Sequence, residues 1–309
     1  MREQSFVNRL GKKLFTVLLP ERLRVVLYPL LRGRPPVNPF RPRTFNDLLN
    51  RNKLTERYAE VCILQDKLLA KSWVALVAPE VKVPRTLKVL NSADDITPES
   101  LPLPCVLKTN NGCGSNFIYT AESPERSEDQ WREIKRRFAL SLGEPYSRAA
   151  VEWSYFYIKP RLFCEEYLPS ARIGEDLIDY KVFVYNGVAC LVQVDLDRYQ
   201  GHKRVLMDKQ WRALLVKYEY PLPDKIPGRP GNLAKLLEAA ENIAGTLKFC
   251  RVDFYLVGEE VYFGEVAFYP EGGYGEFEPD DFNRGLFEGL KNGGIFDSSY
   301  YANTGEDGD

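Results

Sequence analysis

FCRVDFYLVGEEVYFGEVAFYPEGG, running from Phe249 to Gly273, is the stretch on which the reading of this chain turns. Apolar and aromatic residues fill Phe249–Val257 and Val261–Phe268, as two buried strands require, and Gly258 supplies the turn between them. Each strand nevertheless carries an acid in its middle, Asp253 in one and Glu265 in the other. An uncompensated carboxylate in such surroundings costs on the order of several kcal/mol, so something must neutralise each of them. Side chains alternate along a strand, which puts Arg251 on the same face as Asp253. Two carboxylates on adjacent strands suit a hard divalent cation. The alternative is a pair of acids held in ion pairs on a solvated sheet face.

Working outward, the chain has 309 residues, 44% hydrophobic and 28% charged, enough apolar material for a substantial core. A net charge of −1 gives no sign of nucleic acid or another polyanion as partner. The charge is unevenly spread: residues 1–45 hold ten basic side chains against two acids, Glu3 and Glu21, leaving the remainder at −9. Six cysteines, at positions 62, 105, 113, 164, 190 and 250, form no C-x-x-C pair. Most lie in apolar runs, as reduced core residues of a cytoplasmic protein do. The single histidine, His202 in the polar run DRYQGHKR, excludes zinc sites built on paired histidines and argues against a Ser-His-Asp hydrolase.

Residues 5–32 carry two apolar-periodic runs among arginines and lysines, Phe6, Val7, Leu10, Leu14, Val17 and Leu18, then Leu23, Val26, Leu27, Leu30 and Leu31. Their uncharged stretches fall far short of the roughly 20 residues of a membrane span. Such a segment suits an anionic membrane surface, or packing on the protein itself or a partner. Arg34–Pro42 reads as a linker and Asn46–Ser72 as largely helical. Strands are expected at Arg85–Leu90, Pro104–Lys108 and Arg161–Leu168, and a hairpin at Tyr180–Tyr185 and Val188–Val194 across Asn186-Gly187. Ser127 with Gln130 forms a capping box opening a helix over Asp129–Leu142, and Asn232 is expected to cap a helix running to about Leu247. The polar tail after Phe296 is expected to fray.

Two further stretches carry chemistry. VLKTNNGCGSNFIY, residues 106–119, is a strand, a lysine, a glycine loop and a strand. Gly112 and Gly114 let backbone amides approach a ligand, and Lys108 offers a point charge for phosphate. No GK[ST] opens a helix here, so this is not a Walker loop, and a tight hairpin with a surface lysine reads the same way. In FCEEYL, residues 163–168, alternation sends Glu165 and Glu166 to opposite faces, so at most one is buried. The segment suits an adenine edge with an acid on ribose hydroxyls, or a strand end emerging into solvent.

Taken in order, Lys67, Lys108 before a glycine loop, the Glu-Glu strand end, RVDF and GEVAF resemble an ATP-grasp enzyme. The resemblance is greatest to the TupA-like branch of teichuronopeptide and polysaccharide biosynthesis, over roughly residues 44–290, through FND, DK, VLKTNNGCGSN, DYKVFVYNG, DxDR, RVDFY and a Gly-Gly loop after GE. It implies an α+β fold in which two α+β lobes clasp ATP: a basic helical extension (1–45), a reduced N-terminal lobe (46–105), a small lobe with the glycine loop (106–168), a C-terminal lobe with the metal site (169–296) and a flexible tail (297–309).

The same resemblance implies roles for particular residues. Lys67 and Lys108 would contact ATP phosphates beneath a loop containing Gly112, Gly114, Ser115 and Asn116, and Glu165, Glu166, Tyr167 and Leu168 would form the adenine–ribose hinge. Asp253 and Glu265 would bind Mg²⁺, each dispensable for stability without it. Arg251 would stabilise an acyl phosphate, while Lys181, Asp195 and Arg198 would line the acceptor side. Many relatives carry Asn two residues after the metal glutamate; Ala267 stands there, so a second ion is held differently or more weakly. The implied activity is ATP-dependent carboxylate–amine ligation, amidating a surface or capsular polysaccharide or a uronic acid precursor. Two other readings stay open: phosphotransfer to a sugar or alcohol, and an inactive nucleotide-binding scaffold. Residues 1–45 would then contact the inner membrane face or a polysaccharide-assembly protein.

Overall fold

Alternation along the strands sets the layers of this protein. The computed structural model describes residue 15 and residues 18–112, 116–143, 150–168, 177–197 and 201–301. Strands β1 (Thr86–Leu90), β2 (Cys105–Thr109), β3 (Phe117–Tyr119) and β4 (Leu162–Glu166) form an antiparallel sheet in the order β1-β4-β2-β3. A larger antiparallel sheet is built from β5 (Asp179–Tyr185), β6 (Val188–Leu196), β7 (Lys203–Met207) and β8 (Ala213–Leu214) together with two strands from farther along the chain. After the short β9 (Lys217–Tyr218) come β10 (Phe249–Val257) and β11 (Glu260–Ala267), giving the order β11-β10-β5-β6-β7-β8; β9 pairs instead with β12 (Phe277–Glu278). The architecture is α+β, as expected.

The helices are α1 (Glu21–Leu27), α2 (Phe45–Thr55), α3 (Ala59–Gln65), α4 (Leu69–Val77), α5 (Glu128–Gly143), α6 (Leu233–Ala244) and α7 (Phe282–Lys291). One face of the large sheet is apolar throughout: Val182, Val184, Val192, Val194, Val205, Val252 and Phe254 pack under Leu233, Leu236, Ala240 and Ile243 of α6. The other face is divided. At one end Phe183, Leu191, Leu206 and Phe249 meet Phe45 and Leu49 of α2 and Phe282 and Leu286 of α7. At the other end the same strands carry charged side chains. The small sheet has a core of its own, in which Leu107, Cys164 and Phe117 lie against Phe138 of α5. The segment before β1 joins the edge of the large sheet, Lys82 N donating to Val261 O and Phe263 N to Lys82 O, each at 2.8 Å.

Local chemistry accounts for the turns. Asn186 and Gly187 both have positive φ, 49° and 77°, as the tight turn between right-twisted strands demands. Ser127 and Gln130 form their capping box, and Thr44 with Asp47 forms another at α2.

Three expectations need correction. The Asn232 side chain does not cap α6; its amide donates to Glu259 O at 2.8 Å, bracing the β10–β11 turn. The first part of the tail, residues 297–301, does not fray, because Tyr300 packs on Phe282 at 4.8 Å between ring centroids and Tyr301 donates to Asp208 at 3.0 Å; residues 302–309 lie outside the described residues. In the second N-terminal run none of the periodic residues is fully buried: Leu23, Leu30 and Leu31 are exposed and Val26 and Leu27 half-buried, and the segment is anchored instead by Val25 and Pro29. The first run, apart from an exposed Leu18, lies outside the described residues. The described cysteines, Cys62, Cys105, Cys164, Cys190 and Cys250, are free thiols.

Phe45 has no exposed surface and sits among Phe183, Phe249 and Phe277. Phe45→Ala is therefore expected to lower the unfolding free energy by about 3–5 kcal/mol in a urea titration. A loss below about 1 kcal/mol would show that α2 is not part of the core.

Candidate active site

The charged half of the divided face is a row set by strand register. Glu265, Asp253, Lys181 and Gln193 stand opposite one another on β11, β10, β5 and β6, and Asp179, Asp195 and Arg204 follow one step along. Asp253, only 2% exposed, is held from both sides. Arg251 donates to its two oxygens at 2.7 and 2.8 Å, and Lys181 Nζ reaches Oδ2 at 2.8 Å. Lys181 also donates to Asp179 at 3.0 Å. Asp195 accepts from Arg204 at 2.6 and 3.1 Å, and Arg204 continues to Glu271 at 2.9 Å. His202, stacked on Tyr220 at 3.6 Å between centroids, lies 3.5 Å from Asp195.

Protonation in this row is decided by partners overriding burial. Burial alone would strip Lys181 of its proton, but Asp179 and Asp253 outweigh it and push its pKa up. Burial would raise Asp195; the His202 hydrogen bond and the Arg204 and Lys181 charges hold it well below the carboxylate range. Glu265 behaves likewise, burial being overcome by Lys67, whose Nζ lies 2.7 Å away. Glu265 is recessed in a cleft, yet its side chain remains 36% accessible.

Glu265 reaches this face through a β-bulge. The pairing runs Phe254↔Phe263 and then Asp253↔Glu265, leaving Gly264 as the extra residue. Were the strand to pair regularly past Phe263 with Gly264 opposite Asp253, Glu265 would fall opposite Val252 and point into the apolar face. A Cβ on Gly264 would lie 3.0 Å from Asp253 O and 3.1 Å from the Tyr255 ring, so the bulge needs glycine. The signal was in the sequence: Val261 and Phe263 alternate into the core, then Val266 and Phe268 do so one residue out of step.

The row opens on a cavity of about 490 Å³ whose lining includes Lys67, Gly112, Lys181, Arg251, Glu265 and Ala267, the last directly across from Arg251. Lys67 lies in the turn between α3 and α4, not on a helix, and donates to Gly112 O at 3.0 Å. Lys108 and Glu165 form a second cluster on the small sheet. Glu165 is shared by Lys108 and by Lys71 at 2.7 Å, a lysine that sequence reasoning missed although it follows Lys67 at i+4. Burial would raise Glu165; the two lysines hold it below its ordinary range. Glu166 turns away to accept from Arg85 N at 3.1 Å. Tyr167 and Leu168 lie half-buried beyond β4, and Asn116 is exposed before β3. Gly114, Ser115 and Arg198 lie outside the described residues.

A third group entered the sequence reading only as motifs without a role. Glu271, Gly272 and Gly273 all have positive φ, and their loop walls the cavity. Buried polar residues at helical spacing on α2 hold it: Asn46 donates to Gly275 O, Asn50 to Gly273 O and Lys53 to Gly272 O, at 2.8, 2.6 and 2.6 Å. Burial pushes Lys53 down and its neighbour Glu152 up.

Glu265 presents its carboxylate to the cavity with Asp253 in register beside it, an oxygen-only pair of the kind Mg²⁺ takes. Asp253 is buried with both oxygens held by Arg251 and Lys181, so it would meet an ion only on releasing one of them. Among the described residues no three His, Cys, Asp or Glu side chains gather as a complete cage. The expectation that Asp253 is dispensable for stability does not survive its surroundings: removing its charge leaves Arg251 and Lys181 buried without it.

Residues 47–291 match the TupA-like ATP-grasp family, and the chain belongs to it. Among solved structures it is similar to D-alanine–D-alanine ligase from Bacillus anthracis complexed with ATP, at 13% identity over 75% of this chain and 65% of that one, TM-score 0.40. It is also similar to L-amino acid ligase from Bacillus licheniformis, at 11% over 83% and 57%, TM-score 0.45. A third is the ATP-grasp ligase PsnB complexed with minimal precursor, Mg and ADP, at 12% over 72% and 57%, TM-score 0.37. The match thus spans less than two thirds of each of these ligases. No curated protein sequence matches the chain.

Two outcomes are expected. Gly264→Ala should lose about 1–3 kcal/mol of stability through the clash with Asp253; a neutral result in thermal unfolding would remove the bulge argument. Glu165, with its pKa lowered in the fold, contributes stability that is present above its unfolded value of about 4.3 and is lost as pH falls through the folded value. Glu165→Gln should be less stable than the parent at pH 7, and the gap should close on acidification. A constant gap between pH 7 and pH 3 in urea midpoints would contradict the assignment.

Proposed function

We propose that the chain is an ATP-dependent carboxylate–amine ligase working through an acyl phosphate. The observation that carries this reading is the charged row of Glu265, Arg251 and Lys181 on one wall of the cavity, with Asp253 buried among them, in a chain of the ATP-grasp family. A substrate carboxylate oxygen attacks the γ-phosphorus of ATP, the bond to the β-phosphate oxygen breaks, and ADP leaves. The amine then attacks the acyl carbon, phosphate departs, and the amine loses a proton. Little covalent work falls to the protein; its task is to position and to neutralise spreading charge.

Each residue then has a task. Lys67 and Lys108 meet phosphate oxygens, exchanging their carboxylate partners Glu265 and Glu165 for the nucleotide. Arg251, locked in place by two hydrogen bonds to Asp253, keeps its guanidinium at the cavity for the acyl phosphate and the later oxyanion. Glu265 would hold Mg²⁺ at the cavity, with Asp253 joining it on releasing Lys181, and the ion would supply further neutralisation of the phosphates. Lys181, Asp195 and His202 face the acceptor side. The finer reading, that the acyl donor is a uronic acid of a surface polysaccharide or its precursor, rests on the likeness to the TupA-like branch.

Hydroxylamine added with Mg²⁺-ATP and a panel of uronic and amino acids should trap the acyl phosphate as a hydroxamate, with one ADP released per hydroxamate. Lys108→Met should abolish ADP release and stay folded, because Lys71 still answers Glu165. Glu265→Gln should fold and lose the thermal stabilisation that Mg²⁺-ATP gives the parent. Asp253→Asn is the poor choice of variant, since breaking a buried pair costs about 3–5 kcal/mol by itself. Unchanged ADP formation in Lys108→Met and Glu265→Gln would sink the reading.

A further inference from the structure

The residues ahead of the family match help to build the cavity. Val25 of α1 is fully buried with Val37, Ala150, Val151 and Tyr274. Tyr274 donates from Oη to Val25 O at 3.1 Å, and the Tyr28 ring packs on the Tyr274 ring at 5.3 Å between centroids. Arg34 donates to the Tyr274 carbonyl and forms ion pairs with Glu219 at 3.1 Å and Glu276 at 2.7 Å. These contacts fasten the segment beside the loop of Glu271, Gly272 and Gly273. Tyr28 and Arg32 thereby line the same cavity as Arg251, Glu265 and His202.

Charge accounting inside the cavity singles out Arg32. The acids of the lining are Glu152, Asp195, Glu265 and Glu271. Each already faces a cation: Lys53 for Glu152, Arg204 for Asp195 and Glu271, and Lys67 for Glu265. Lys181 and Arg251 are taken by Asp179 and Asp253. Arg32 has no hydrogen bond or ion pair with any described residue. Arg32 is exposed and lines the cavity, and its side chain ends in a planar donor fork of the shape that binds oxyanions in two-pronged fashion.

We propose that Arg32, positioned by the packing of Tyr28 on Tyr274, determines substrate choice by binding a second acidic group of the substrate, a carboxylate or a phosphate distinct from the reacting carboxylate. The identity of the substrate rests on the ligase reading; the binding of the anion does not depend on turnover. The N-terminal segment then acts as a wall of the substrate site supplied from outside the region matched by the family.

The test uses the full chain with its nucleotide site filled by a non-hydrolysable ATP analogue. Binding of D-glucuronate, D-glucose 6-phosphate and uncharged D-glucose is measured by calorimetry. The parent is expected to bind at least one anion and not glucose, and the preferred anion identifies the source of the acidic group. Arg32→Gln should weaken that binding roughly tenfold. Arg32→Lys should retain more of it, and both variants should keep the parent's urea midpoint and affinity for the ATP analogue. A parent that binds neither anion, or an Arg32→Gln protein that binds it as well as the parent, overturns the proposal. Anion binding through Arg32 in a protein that releases no ADP would instead remove the ligase reading and leave this proposal standing.

Discussion

Everything at the site depends on keeping Asp253, Arg251 and Lys181 together inside a sheet. Each ion alone would cost several kcal/mol to bury, and what makes the arrangement tenable is that every oxygen of Asp253 has a donor at 2.7–2.8 Å. The group is over-determined: Arg251 and Asp253 are two residues apart on one strand, and Lys181 lies directly opposite Asp253 on the next. No loop has to close for these charges to meet. The bulge at Gly264 then brings Glu265 onto the same side, so whether that one residue is looped out or paired decides whether the fourth charge faces the cavity or the apolar core.

The divided face explains why so few residues can serve both stability and chemistry. Phe249, Arg251 and Asp253 follow one another on the same side of β10, and Phe183 and Lys181 do so on β5. Helix α2 lies where the two halves join. Its Phe45, Leu48 and Leu49 bury against the apolar end. Its Asn46, Asn50 and Lys53 instead hold the carbonyls of the 272–275 loop that walls the cavity. A helix that is polar and buried on one side is costly unless its donors are used, and here they meet the carbonyls of the left-handed Gly272 and Gly273 and of Gly275.

Much of this was legible in the sequence, and the reasons are local. β10, the β5–β6 hairpin and the capping box at α5 are written in alternation, in Asn186-Gly187 and in Ser127 with Gln130, each of which acts within a few residues. Opposition of Glu165 and Glu166 follows from strand geometry alone. The pairing of Asp253 with Lys181, 72 residues away, does not, because register between distant strands is a property of the whole sheet. Lys71 escaped notice because a lysine on an amphipathic helix reads as solvated, and only the fold brings Glu165 to it. Asn46, Asn50 and Lys53 looked like a polar helix face; what they face is set by a loop more than two hundred residues further on.

The imbalance of charge between residues 1–45 and the rest reads differently once the fold is known. A basic segment on an acidic body can answer a membrane, but it can equally answer the body. Arg34 meets Glu219 and Glu276, so part of the segment's excess is spent on acids of the chain itself. Val25 and Pro29 anchor the described part by pointing inward, while Leu23, Leu30 and Leu31 stay exposed. Among the described residues no helix is long and apolar enough to cross a membrane. Fastening such a segment beside a glycine-rich loop has a further consequence. The Gly272 and Gly273 carbonyls are held from α2, and the following Tyr274 is held by Tyr28 and Arg34, so residues outside the family match and residues within it fix the same wall of the cavity.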